Sequence, residues 1–185
     1  MIELKDASAS LTLKDVVIDG AGATSAAETD SIIKAVSGGT IVLQSGAILE
    51  NNKAAQFGSG ILANNGVKIT MEDGAVIRNN TNRNYELGGS ILLGNGSIFT
   101  MNGGEISGNT ANGGGGAIIG STMVMNGGKI SNNSTYKTTG QGSYGAGVYV
   151  ADYANASGGD ILFKPKPASF EMNGGKITGN KALDY

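Results

Sequence analysis

Phe99-Thr-Met-Asn-Gly-Gly-Glu-Ile-Ser-Gly-Asn109 returns almost unchanged as Phe170-Glu-Met-Asn-Gly-Gly-Lys-Ile-Thr-Gly-Asn180. With the methionine as anchor, glycine follows at +3, isoleucine at +5 and asparagine at +8. Working outward, the frame fits five times, on Leu43, Met71, Met101, Met125 and Met172, with glycines at 46, 74, 104, 128 and 175. Ile48, Val76, Ile106, Ile130 and Ile177 come next, and the copies close on Asn51, Asn79, Asn109, Asn133 and Asn180. The anchors lie 28, 30, 24 and 47 residues apart. Self-similarity on this scale is the mark of one supersecondary unit stacked on itself, a solenoid.

Around each anchor apolar and polar residues alternate, as in Ile41-Val-Leu43, Ile69-Thr-Met71, Phe99-Thr-Met101, Met123-Val-Met125 and Phe170-Glu-Met172. Residues two apart share one strand face, so the outer members of each triplet point into a core and the middle one points out. The glycine at +3 permits a corner, after which the +5 residue turns inward again. Coils stacked about 4.8 Å apart would bring the five +8 asparagines into one column, each amide donating to the next. The alternative for these asparagines is a turn role, because asparagine tolerates a left-handed backbone. None of the 18 asparagines precedes Asn51, so a different segment opens the chain.

A second strand motif follows in four copies: Gly60-Ile-Leu62, Ser90-Ile-Leu92, Ala117-Ile-Ile119 and Gly147-Val-Tyr149. The linkers before it differ in length, from 53–58 in one copy to 134–146 in another. Unequal insertions of this kind gather on one face of a repeat protein, often the binding face. The 47-residue gap reads as an elaborated coil with a long insertion at about 134–163. Repeats that run in one direction, joined by connections too long for hairpins, predict parallel pairing rather than an antiparallel sandwich, and the handedness of such crossovers predicts a right-handed helix. Near the start, Ser25-Ala-Ala-Glu28 is a capping box, and Ile32, Ile33 and Val36 continue on one face before Ser37-Gly-Gly39. The sequence thus predicts an all-β chain: a right-handed parallel β-helix of about six coils in one domain, 1–185. Residues 1–39 would form a short N-terminal capping helix and an imperfect first coil, and 40–185 the repeated coils.

Composition excludes several chemistries. A net charge of −2 with two arginines gives no basic stripe for nucleic acid. No stretch of about 20 apolar residues is present to insert in a membrane. Without cysteine or histidine, thiolate ligands and the commonest general base are missing, and no metal or cofactor is expected. Carboxylate chemistry would need a facing pair; Glu72 and Asp73 are acidic, but the next copies carry Asn102-Gly103 and Asn126-Gly127 there. Four of six tyrosines, Tyr136, Tyr144, Tyr149 and Tyr153, crowd into the long insertion. They are a candidate ligand-binding patch, since tyrosine offers a rigid face with a polar tip, or else they pack the insertion onto its own coil.

The entry Gly38-Gly-Thr-Ile-Val-Leu43 followed by Gly46-Ala-Ile48 resembles that of pectin-lyase-like right-handed β-helices. The Met-Asn-Gly-Gly copies resemble the repeats of large bacterial cell-surface proteins read as adhesins. That resemblance implies an extracellular location on a cell surface, attachment through other domains of a longer protein, and a host or matrix glycan or protein as partner. The expectation is not an enzyme; a spacer without its own ligand is the alternative, and a polysaccharide lyase or hydrolase comes after it.

Overall fold

The computed structural model describes residues 1–21, 31–54, 58–82, 89–112, 117–119, 121–136, 145–150 and 168–183. They form six successive coils of short strands. The first coil holds β1 (Ile2–Leu4), β2 (Ser10–Leu13) and β3 (Val16–Asp19). The second holds β4 (Ile33–Ala35), β5 (Thr40–Leu43), β6 (Ala47–Glu50) and β7 (Lys53–Ala54), and the third β8 (Ile61–Ala63), β9 (Lys68–Met71), β10 (Val76–Arg78) and β11 (Thr81–Asn82). The fourth holds β12 (Ile91–Leu93), β13 (Ile98–Met101), β14 (Glu105–Ser107) and β15 (Thr110–Asn112). The fifth holds β16 (Ala117–Ile119), β17 (Thr122–Met125), β18 (Lys129–Ser131) and β19 (Ser134–Tyr136), and the sixth β20 (Val148–Val150), β21 (Ser169–Met172), β22 (Lys176–Thr178) and β23 (Lys181–Leu183).

Each strand pairs in parallel with its counterparts in the neighbouring coils, so the chain winds through four sheets in a fixed order. Sheet A runs from β1 to β20, sheet B from β2 to β21, sheet C from β3 to β22 and sheet D from β7 to β23. This is the architecture of a β-solenoid: like residues stack on like.

The core is a set of such columns. Ile41, Ile69, Phe99 and Met123 form one, and Leu43, Met71, Met101 and Met125 the next, all buried. Leu49, Ile77, Ile106 and Ile130 line sheet C, while Ile33, Ile61 and Ile91 line sheet A. Burying side chains of this size stabilises by about 1.5–3 kcal/mol each, which holds together strands too short to persist alone.

The expected helix over 25–36 is not what the second half of that span forms. Ile33–Ala35 is strand β4, hydrogen-bonded between β1 and β8, with Ile33 and Ala35 inward. Two consecutive β-branched isoleucines beside two open strand edges favour the sheet over a helix whose only local support is the capping box. Residues 22–30 lie outside the described set, and no helix occurs among the described residues. In the first coil, Asp6 accepts from Ser8 Oγ at 2.6 Å and from Ser8 N–H at 2.9 Å, closing the bend that follows β1. Those bonds, the side-chain one foremost, hold its carboxyl below the usual carboxylate range.

Two more differences concern the repeat frame. A fourth strand stands where sequence reading began the linker: Lys53–Ala54, Thr81–Asn82, Thr110–Asn112, Ser134–Tyr136 and Lys181–Leu183. These strands run to only two or three residues and carry little periodicity. The corner is also one residue longer in the second and third coils. There, Ala47 N–H bonds Gln44 O at 3.0 Å and Ala75 N–H bonds Glu72 O at 3.2 Å, with Gly46 and Gly74 at positive φ. The extra alanine is buried, so Leu49 and Ile77, at +6, turn inward, while Ile48 and Val76, at +5, lie on the outer side.

Candidate functional site

That longer corner decides where the asparagines go. Asn109, Asn133 and Asn180 stand in one column, and it continues through Asn80 and Asn52, not through Asn79 and Asn51. In each step the main-chain N–H of one asparagine donates to Oδ1 of the next, at 3.0, 2.9, 3.0 and 2.9 Å from Asn52 onward. The Nδ2 of the next residue then returns to a carbonyl of the preceding coil: Asn80 to Leu49 O, Asn109 to Ile77 O, Asn133 to Ile106 O and Asn180 to Ile130 O. Asn52, Asn80, Asn109 and Asn133 are buried.

Asn51 and Asn79 take the other role that asparagine offers, with φ of 58° and 55°. Their equivalents in later coils are Gly108 (φ 63°), Asn132 (φ 55°) and Gly179 (φ 66°). The bend therefore reads as a pair, one left-handed residue and one ladder asparagine: Asn51-Asn52, Asn79-Asn80, Gly108-Asn109, Asn132-Asn133 and Gly179-Asn180. The alternation of glycine and asparagine before a fixed asparagine was the sequence signal for this register. Asn79→Gly should then leave stability within about 0.5 kcal/mol, since glycine adopts positive φ freely. Urea unfolding of the variant checks this, and a loss above about 2 kcal/mol would place Asn79 in the column after all.

Two further amide columns lie near the surface. At the corner between sheets B and C, Asn173 donates to Asn126 Oδ1 (3.0 Å), Asn126 to Asn102 Oδ1 (3.0 Å) and Asn102 to the Glu72 carboxylate (3.1 and 3.2 Å). At the corner between sheets A and B, Asn95 donates to Asn65 Oδ1 at 2.6 Å and Asn65 to Val36 O at 2.7 Å. On sheet C, Arg78 pairs with Glu50 at 2.6 Å and Lys129 with Glu105 at 3.4 Å, each across neighbouring coils. Glu72 thus faces amides along its column, and among the described residues no three acidic, histidine or cysteine groups gather to hold a metal.

Connections of unequal length flank sheet A: between sheets A and B, 94–97 and 120–121 contrast with 151–168, and the corner between sheets D and A varies throughout. The connections at that second corner are 55–60, 83–90, 113–116 and 137–147, each leaving a sheet D strand and entering a sheet A strand. The entry geometry recurs: a Cβ placed on Gly58 would strike Ile61 O, and one on Gly145 would strike Val148 O, both at positive φ. Sheet A differs from the others on its outer side. Its outward column includes Lys34, Leu62, Leu92 and Tyr149, and Leu62 and Leu92 are buried although they face away from the coil interior. Gly58 lies against that side, its Cβ position 3.2 Å from Leu92 Cβ.

The tyrosines separate accordingly. Tyr136 closes β19 in sheet D, in register with Asn112 and Leu183, and is half-buried. Tyr149 sits in β20 on the outer side of sheet A, half-buried, with Gly145 against its Cα and Cβ. The two flank the same corner from different sheets. Tyr144 and Tyr153 lie outside the described residues. A scan of the chain against protein-family models finds no match, and neither the curated proteins nor the solved structures give one.

Proposed function

We propose that this chain is an adhesive module of a bacterial surface protein, a right-handed β-helix that presents the corner between sheets D and A to a host or matrix glycan or protein. The observation that carries this reading is the asymmetry of the coil. The corners between sheets B and C and between C and D are made from repeated short bends, whereas the connections of unequal length flank sheet A, whose outward side carries the buried Leu62 and Leu92. Regular corners hold a rod straight, and variable loops over an apolar strip are where a binding surface is built. Tyr149 ends that side of sheet A and Tyr136 borders it, so both are assigned to ligand contact, together with Tyr144 in the connection before β20 and Tyr153 in the connection after it. Catalysis is not part of the proposal, because Glu72 is engaged by Asn102 and has amides above it in its column.

The test is a binding screen of the purified chain on immobilised glycans and matrix proteins beside two variants. One carries Tyr149→Ala; the other lacks 137–144 but retains β19 and β20. Binding by the parent that falls at least tenfold in both variants, with unchanged circular dichroism, is expected. Binding that survives both moves the site to another face. No binding by the parent favours a spacer, the reading that the amide columns and their regular stacking support.

A further inference from the structure

The sixth coil has the chemistry of an interior coil and the exposure of an end. Among the described residues its strands β20 to β23 pair on one side only. Met172 and Ile177 are 45% and 38% exposed, whereas Met125 and Ile130, one coil below, are fully buried. Solenoid ends ordinarily change composition so that strand edges and core are hidden. Here the motif is the same as in the fourth coil.

What the face accepts can be read from the contacts between the coils beneath it. A Cβ on the second corner glycine of each later coil would fall on the methionine Cε of the coil before it: Gly104 on Met71 at 2.9 Å, Gly128 on Met101 at 2.7 Å and Gly175 on Met125 at 2.6 Å. A coil seated on Met172 must therefore bring glycine to that place. In the ladder, Asn133 gives its N–H and an Nδ2 hydrogen to Asn180 Oδ1, and Ile130 O receives Asn180 Nδ2. Asn180 and Ile177 present the corresponding groups to the next layer, so the complement is an amide that accepts two bonds and donates one.

We infer that the end face formed by Val150, Phe170, Met172, Ile177 and Asn180 is a docking surface for one further parallel coil of the same repeat, with Gly-Gly at the corner and asparagine in the ladder. A second copy of this chain does not fit by its first coil. The corner there is Lys14-Asp15, with the Asp15 carboxylate against Gly46, and the place over Asn52 is taken by Gly20. The first coil's Leu4 and Leu13 are moreover buried already.

Methionine oxidation reads this face directly, since the reaction follows exposure. The parent chain is compared with one carried on past Asn180 by a copy of residues 110–133, with a second extension copying 81–109, and with a 110–133 extension in which the copied Gly127, Gly128 and Asn133 become Val, Val and Ala. Peptide mass spectrometry after dilute peroxide gives the rate at each methionine. In the parent, Met172 should oxidise at least about tenfold faster than Met125. In the two faithful extensions it should slow to the rate of Met125, and in the altered one it should remain fast. Slow oxidation of Met172 in the parent overturns the inference: with a dimer by light scattering the occupant is a second copy, and with a monomer it is another segment of this chain. Fast oxidation in both faithful extensions, or equal protection by the altered one, overturns it as well.

Discussion

Replacing Asn109 by alanine should cost about 4 kcal/mol of folding stability, more than any surface change in the molecule. Its Oδ1 accepts from Asn80 N–H at 2.9 Å and from Asn80 Nδ2 at 3.2 Å, while its Nδ2 reaches Ile77 O at 3.1 Å and Asn133 Oδ1 at 3.0 Å. Asn80, Asn109 and Ile77 are buried. Alanine removes the acceptor for one main-chain N–H and the donor to one carbonyl, where water cannot enter to replace them. Each orphaned group costs about 1–3 kcal/mol, and the remaining amide contacts add to that. Chemical denaturation should show a lower midpoint with an unchanged slope. A loss below about 1 kcal/mol would mean that the column is not a dry structural spine.

The second large effect is at Gly128, where alanine should destabilise by about 3 kcal/mol. Its φ is +83°, and an added Cβ would lie 2.7 Å from Gly103 C, Gly104 O and Met101 Cε. Backbone on two sides cannot give way, and the methionine methyl is packed in the core. Gly66 supplies the control: its φ of +84° is nearly the same, but nothing lies within 4 Å of the Cβ position. Gly66→Ala should show the conformational strain alone, about 1–2 kcal/mol. The difference between the two variants isolates the close approach of coils. Equal losses would assign everything to φ and deny that the Met-Asn-Gly-Gly motif matches methionine below to glycine above.

That motif also explains how much could be read from sequence. The Met-Asn-Gly-Gly copies, at 101, 125 and 172, have the same corner, so anchor, inward isoleucine and ladder asparagine fell at the expected offsets. At Leu43 and Met71 the corner is Gln-Ser-Gly-Ala or Glu-Asp-Gly-Ala, one residue longer. The doublets Asn51-Asn52 and Asn79-Asn80 then let the same +8 offset land on an asparagine with a different job. A one-residue slip exchanges the two faces of a strand, and a residue doublet hides it. The helix signal at Ser25-Ala-Ala-Glu28 was local, whereas β4 is fixed by its neighbours β1 and β8, which no short window contains. The outward column of sheet A was invisible for a similar reason. Ile-Leu and Ile-Leu-Leu look like continuous core, and only the register separates Leu62 and Leu92 from the residues beside them.

The central claim is the stacking itself: six parallel coils in one register along sheet B. Thr12 and Glu171 are exposed and lie in one outward column, reached through Val42, Thr70, Thr100 and Val124. Five steps of about 4.8 Å separate them, roughly 24 Å. The chain has no cysteine, so nitroxides can be placed at Thr12→Cys and Glu171→Cys without background. Double electron–electron resonance should give one narrow distribution centred near about 24 Å, broadened only by the label linkers. A broad distribution, or a centre displaced by more than about two coil spacings, would contradict the stack of parallel coils and everything built on its register.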